Sequence, residues 1–143
     1  MNITALIRPN ILALKPYSSA RDEYTGAEAL FLDANENPFG QWNRYPDPYQ
    51  KQLKQKIAAL KNLDANALFL GNGSDEIIDL SYRIFCEPGK DKAICLGPKY
   101  GMYEVAAQIN NVTLIQVPLD AAFDIDLPAL EEYWERTDIK LMF

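Results

Sequence analysis

The chain has 143 residues, enough for one domain with a sizeable core, and its 48% hydrophobic and 24% charged content is that of an ordinary globular protein. A net charge of −6 argues against a nonspecific grip on nucleic acid or an anionic membrane surface, so a phosphate ligand would have to be held locally by backbone amides and a few side chains. There is no histidine, which removes a His general base, a Ser-His-Asp triad and His-ligated metals from these residues. Cys86 and Cys95 fall in separate predicted elements, make no metal framework and read as small buried hydrophobes.

Residues 1–25 mix Arg8, Pro9, Pro16, Ser18, Ser19 and Arg21 without periodicity and read as an arm, with one short helix near 3–14 and then an extended piece. Such an arm either wraps a partner or frays as a terminus. The first fifteen residues hold no continuous apolar stretch and no small-residue cleavage site, so we read no signal peptide, no membrane span and a cytoplasmic address. Residues 29–32 form a candidate strand that leads into a polar, turn-rich loop over 33–40. Asp47, Pro48 and Gln50 make a capping-box-like start for a helix to about Lys61, with Leu53, Ile57 and Leu60 on one face.

The next stretch organises the rest. Leu68, Phe69 and Leu70 read as a buried strand, and Gly71-Asn72-Gly73 as a tight turn, because these residues tolerate positive φ. Ser74 is the expected N-cap, and Asp75 and Glu76 occupy the first helical turn, where negative charge suits the dipole. Ile77, Ile78, Tyr82, Ile84 and Phe85 carry the helix towards Pro88-Gly89. Residues 93–96 follow as a strand that stops at Gly97-Pro98. Met102, Val105, Ala106 and Ile109 fall at i, i+3, i+4 and i+7, a helical stripe ended by Asn110-Asn111. Residues 112–117 read as a strand, Asp126 caps a helix holding Leu127, Leu130 and Trp134, and residues 139–143 read as a last strand. From about residue 66 the order β-α-β-α-β-α-β predicts an α/β fold with a mostly parallel sheet covered by helices. The chain stops inside an apolar strand of the kind buried on both faces, so the expectation is a truncated chain with an incomplete sheet.

A strand, glycine turn and helix aim free N–H groups at one point, which is an anion site. Gly-x-Gly also fits an ordinary βα turn, and no Gly-Lys-Ser/Thr follows it. Tyr100 follows the carboxyl end of a strand, where open α/β sheets bind ligands; its ring can stack on a flat cofactor or simply pack the strand end. The amide and carboxylate cluster Asn35-Glu36-Asn37 fits a binding loop or a plain Asx turn. Arg44 and Tyr45 can meet an anion or mark a helix entry.

Five stretches stand in register: residues 15–21 (Lys-Pro-Tyr-Ser-Ser-Ala-Arg), Asn35-Glu36-Asn37-Pro38-Phe39-Gly40, Asn43-Arg44-Tyr45-Pro46-Asp47-Pro48, Gly71-Asn72-Gly73-Ser74-Asp75-Glu76 and Pro98-Lys99-Tyr100-Gly101-Met102-Tyr103. Together, over essentially the whole chain, they resemble the histidinol-phosphate aminotransferase family, class II pyridoxal-phosphate enzymes of fold type I. The resemblance implies an N-terminal arm and substrate loop over 1–40 and a truncated cofactor-binding large domain over 41–143. It implies amino transfer between L-histidinol phosphate and 2-oxoglutarate or glutamate in histidine biosynthesis, with pyridoxal 5′-phosphate as cofactor, in a homodimer. By the same resemblance Gly73, Ser74, Asp75 and Glu76 hold the cofactor phosphate and Tyr100 stacks on its ring. Tyr45 reaches across the dimer to the other subunit's cofactor, while Tyr17, Asn35 and Glu36 line the substrate pocket. The family's cofactor lysine, its pyridine-nitrogen aspartate and its carboxylate-binding arginine all fall C-terminal to residue 143. The 143 residues are therefore expected to hold no catalytic residue and to be inactive alone. The rival readings are a phosphothreonine decarboxylase or aromatic aminotransferase with the same N-terminal pattern, and, from another class, a non-catalytic phosphate-binding or dimerisation module.

Overall fold

The computed structural model describes residues 2–18, 23, 24, 26 and 29–143; Ser19, Ala20 and Arg21 of the arm motif lie outside the described residues. In chain order the elements are a 3-10 turn (Ile3–Leu6), α1 (Pro9–Leu12), α2 (Lys51–Lys61), a second 3-10 turn (Ala65–Ala67), α3 (Ser74–Phe85), β1 (Lys92–Gly97), α4 (Met102–Ile109), β2 (Thr113–Pro118), α5 (Leu127–Glu131) and β3 (Ile139–Met142). They divide into two compact units, one of Met1–Leu14 with Gly71–Phe143 and one of Lys15–Leu70.

The first unit is built on a three-stranded sheet in the order β2-β1-β3, with β1 parallel to both neighbours. Both faces are apolar, as expected of parallel strands reached by helical crossovers. On one face Ala93, Leu114, Leu141 and Phe143 pack with Ile78, Tyr82 and Cys86 of the α3 segment and Ala106 and Ala107 of α4. On the other, Ile94, Leu96, Ile115, Val117 and Ile139 meet Leu130 of α5. Ile139 and Leu141 are two residues apart and would share a face in a regular strand. A register irregularity between the pairs Lys92↔Ile139 and Ala93↔Leu141 sends them to opposite faces, so each core receives one. The ladder runs on to Phe143, whose N–H donates to the Ile94 carbonyl at 3.0 Å while its own carbonyl accepts from Leu96 N at 3.0 Å.

Tyr82 and Ile94 are fully buried, each contributing about 1.5–3 kcal/mol of apolar transfer. Tyr82 keeps its hydroxyl satisfied by donating to the Tyr103 carbonyl at 3.0 Å. Cys86 and Cys95 are free and buried as expected, and burial, with the Asp91 charge, pushes the Cys86 thiol up to about 12.

Several expectations are corrected. Residues 29–32 and 68–70 are not strands: among the described residues neither pairs with another strand, and Leu30, Leu32 and Phe69 are exposed. An apolar run becomes a strand only where a ladder partner exists. The helix expected over 3–14 is instead a 3-10 turn followed by the single turn of α1, broken before Pro9. The α4 stripe is rotated: Val105 and Ile109 are exposed, while Ala106 and Ala107 are buried. Small alanines let α4 approach α3 closely, and Asn110 on that face donates to the Asp79 carboxylate at 2.7 Å. Asp126 caps α5 through the Ala129 N–H as expected, but the helix stops at Glu131, leaving Trp134 beyond it and exposed.

The second unit holds the loop 29–50 and α2, which packs on the turn Ala65–Ala67. Asp47 accepts from the N–H groups of Lys51 at 2.8 Å and Tyr49 at 2.9 Å. These two bonds, Lys51's first, hold its carboxyl below the usual range. The helix itself starts after Gln50, which sits at φ 47, and ends at Asn62, at φ 54. Its inner face is Ile57 and Ala58; Leu53 and Leu60 are exposed within this unit.

Candidate functional site

The glycine turn delivers the geometry of an anion cup. Gly73, not Ser74, is the N-cap of α3, at φ 81 and ψ 178, a region that residues with a Cβ rarely adopt. Ser74 becomes the first helical residue, so its side chain makes no cap bond. The carboxylate of Glu76, three residues after the cap, reaches back to accept from the Asn72 N–H. The arrangement resembles the glutamate half of a capping box displaced by one residue, onto the N–H before the cap, and its signal was the glutamate three positions past the turn. The N–H groups of Ser74 and Asp75 bond no other described residue. They stand at the positive end of a 12-residue helix.

Tyr100 is brought to the same place. It follows β1 after Gly97-Pro98, and the Asp75 carboxylate lies beside its hydroxyl. The negative charge of Asp75 is the main cause that raises the Tyr100 pKa, with desolvation and the hydrogen bond to Asp75 adding to it, so the phenol keeps its proton at neutral pH. Its ring meets Tyr103 edge-on, with centroids 6.2 Å apart, and Tyr103 stacks on Phe143 at 4.8 Å. Phe143 in turn contacts the buried Tyr82 at 5.4 Å. The exposed Tyr100 ring is thus the end of an aromatic row rooted in the core. Lys99, its neighbour, is paired with Glu104 at 2.9 Å.

These residues fit a phosphorylated aromatic group. Carboxylates at a helix start repel a phosphate, but that of Glu76 is turned back onto the Asn72 N–H, and the backbone N–H groups of Ser74 and Asp75 are left for an anion. A Cβ built on Gly73 would meet nothing within 4 Å, so the space in front of the turn is open. Among the described residues no group of three or more His, Cys, Asp or Glu is placed to hold a metal ion, and no helix is long and apolar enough to cross a membrane.

The remaining candidates lie in the second unit. Glu36 accepts from Arg44 Nη1 and from the Tyr45 N–H, the latter at 2.8 Å, so it ties the loop 33–40 to the segment carrying Tyr45. Asn37 closes an Asx turn onto Phe39 N–H at 3.0 Å, the plainer of the two readings for that cluster. A cavity of about 310 Å³ is lined by Ala29, Leu30, Phe31, Glu36 and Arg44. Asn35, Tyr45 and Tyr17 are exposed, Tyr17 by 87%.

An α/β unit with an uncapped helix N-terminus and an aromatic platform at the strand ends is one construction shared by phosphate-cofactor enzymes. Residues 21–143 match the profile of aminotransferase class I and II, and the chain belongs to that family. It is 58% identical to a histidinol-phosphate aminotransferase of Parabacteroides distasonis over 128 residues, covering 89% of this chain and 37% of that protein. It is 51% identical to the enzyme of that name from Christiangramia forsetii, covering 99% of this chain and 41% of the relative. The chain therefore spans about two fifths of the length of these relatives. Among solved structures, the histidinol-phosphate aminotransferase of Clostridium acetobutylicum superposes with a TM-score of 0.52 at 31% identity, over 62% of this chain and 25% of that one.

Proposed function

We propose that these residues form the phosphate cup and ring platform of a pyridoxal-phosphate aminotransferase that moves an amino group between L-histidinol phosphate and 2-oxoglutarate. The observation that carries this reading is the pair of unbonded N–H groups on Ser74 and Asp75, with the exposed Tyr100 ring, set edge-on against Tyr103, near the Asp75 carboxylate. When bound, pyridoxal phosphate supplies an electron sink for the substrate carbon that gives up its proton. Gly73, Ser74, Asp75 and Glu76 bind and orient its phosphate through backbone amides and the helix dipole. Tyr100, its proton retained on Oη, presents a flat face to the ring. Tyr17, Asn35 and Glu36 belong to the substrate side, and Tyr45 to the phosphate of a second subunit in a cytoplasmic homodimer. Functionally, residues 1–40 act as arm and substrate loop and 41–143 as the cofactor-binding part. Proton transfer at the substrate carbon is assigned to none of these side chains.

The test uses the protein produced from its own gene, supplied with pyridoxal phosphate, histidinol phosphate and 2-oxoglutarate. Glutamate formation is expected, together with loss of cofactor affinity in Tyr100→Leu. Decarboxylation of phosphothreonine, or transfer from aromatic amino acids with none from histidinol phosphate, would overturn the substrate assignment.

A further inference from the structure

Asn72 is the asparagine of this chain that directly precedes a glycine, and the structure leaves both members of the pair uncommitted. Asn72 and Gly73 are exposed. Among the described residues the Asn72 side-chain amide bonds nothing, and neither does the Gly73 N–H. Glu76 holds Asn72 through its backbone N–H alone. Gly73 has no Cβ to crowd its own nitrogen, and the space where one would stand holds no atom within 4 Å. The other asparagines are committed in one of these two groups. The N–H that follows Asn10, Asn35, Asn62, Asn66, Asn110 or Asn111 donates to a backbone carbonyl. Asn2 and Asn43 spend their own side chains, on the Thr4 N–H and the Asn37 carbonyl, and Asn37 precedes a proline, which has no N–H.

We propose that Asn72 is a site of spontaneous deamidation, with the Gly73 nitrogen as nucleophile, and that a phosphate in the cup shields it. Solvent base removes the Gly73 N–H proton, and the nitrogen forms a bond to Asn72 Cγ. The Cγ–Nδ2 bond then breaks, Nδ2 takes up a proton and leaves as ammonia, and a cyclic succinimide remains. Water opens the ring at either carbonyl to give aspartate or isoaspartate, and nothing is oxidised or reduced. Both products put a new carboxylate one residue before the α3 cap, where its charge competes with a phosphate for the positive helix end. Isoaspartate also adds a methylene to the main chain just ahead of Gly73, whose conformation aims the Ser74 N–H. The shielding rests on the functional reading above: a phosphate on the N–H groups of Ser74 and Asp75 stands next to the reacting nitrogen and holds the turn in its folded conformation.

The experiment incubates the protein produced from its own gene at mildly alkaline pH, with and without saturating pyridoxal phosphate. Tryptic maps then follow the peptide 62–83, which carries Asn62, Asn66 and Asn72 together, by its mass increase and by isoaspartate methylation. Asn72 should convert about tenfold faster than Asn62 or Asn66, each of which must first break the hydrogen bond of its following N–H. Cofactor at roughly a hundred times its Kd should slow that conversion at least about tenfold. By equilibrium dialysis, Asn72→Asp should bind pyridoxal phosphate about tenfold more weakly than wild type, and Asn72→Gln, which keeps a neutral amide, within about twofold of it. The aged, deamidated wild type should show the same loss without a substitution. Conversion of Asn72 no faster than that of Asn62 and Asn66 overturns the site. Undiminished affinity in both Asn72→Asp and the aged protein overturns the consequence for the cup, and conversion equally fast with cofactor bound overturns the shielding. Wild-type protein that binds no pyridoxal phosphate refutes the functional reading, while the cofactor-free conversion rates still decide the site.

Discussion

Replacing Gly73 with alanine isolates what the backbone contributes to the cup. At φ 81 and ψ 178 the residue occupies a region that is essentially glycine's alone, and forcing a Cβ into it costs about 1–3 kcal/mol. No clash adds to this, because the new methyl would meet no atom within 4 Å. Gly101 is the matched control. It too has open space around a built Cβ, but it sits at φ −62 and ψ −25, where alanine is comfortable. Gly101→Ala should therefore be neutral or stabilising by up to about 1 kcal/mol, through the reduced entropy of the unfolded chain. The two variants should differ by roughly 1–4 kcal/mol, read as separate midpoints in urea unfolding followed by far-ultraviolet circular dichroism. If the strain is relieved by turning the Gly73 peptide, the Ser74 N–H swings out of line, and affinity for pyridoxal phosphate falls while stability is partly recovered. Equal midpoints with equal cofactor affinity would refute the reasoning, since the turn would then not need its left-handed residue.

Two further outcomes follow from single contacts. Tyr82→Phe removes the 3.0 Å bond to the Tyr103 carbonyl at a fully buried site, costing about 0.5–1.5 kcal/mol because that carbonyl keeps its place in the α4 ladder; an unchanged urea midpoint would count against the bond. Asp138, held well below the usual carboxylate range by its hydrogen bonds to Arg136 and then to Lys92, joins the starts of β1 and β3. A depressed folded-state pKa contributes stability that is fully present above the unfolded value, near 3.9, and is lost as pH falls through the folded one. Asp138→Asn should therefore lower the melting temperature at pH 7, and the gap to wild type should close as pH drops below about 4. A gap independent of pH would show that the charge is not what matters.

Local patterns reported what local physics decides. The turn at 71–73, the acidic first turn of α3, the strands near 93–96, 112–117 and 139–143 and the Asp126 cap all rest on residues within a few positions of one another. Burial of the two thiols and the parallel sheet followed from apolar runs alternating with helical ones. Expectations failed wherever the outcome depended on a distant partner. Residues 29–32 and 68–70 carry strand composition but find no ladder, and the inner face of α4 went to two alanines because α3 admits only small residues there.

The candidate site divides in the same way. Sequence alone marked Gly73, Ser74, Asp75, Glu76 and Tyr100 and the turn that exposes the helix N–H groups, because glycine conformation and helix polarity are properties of the chain itself. Only the tertiary structure could place the Asp75 carboxylate beside the Tyr100 hydroxyl, set Tyr100 at the end of a row through Tyr103 and Phe143 to Tyr82, and close the far end of α3 with Arg8. Those contacts join residues tens of positions apart. They exist because the sheet brings strand ends and helix ends to common edges, which no local spacing encodes.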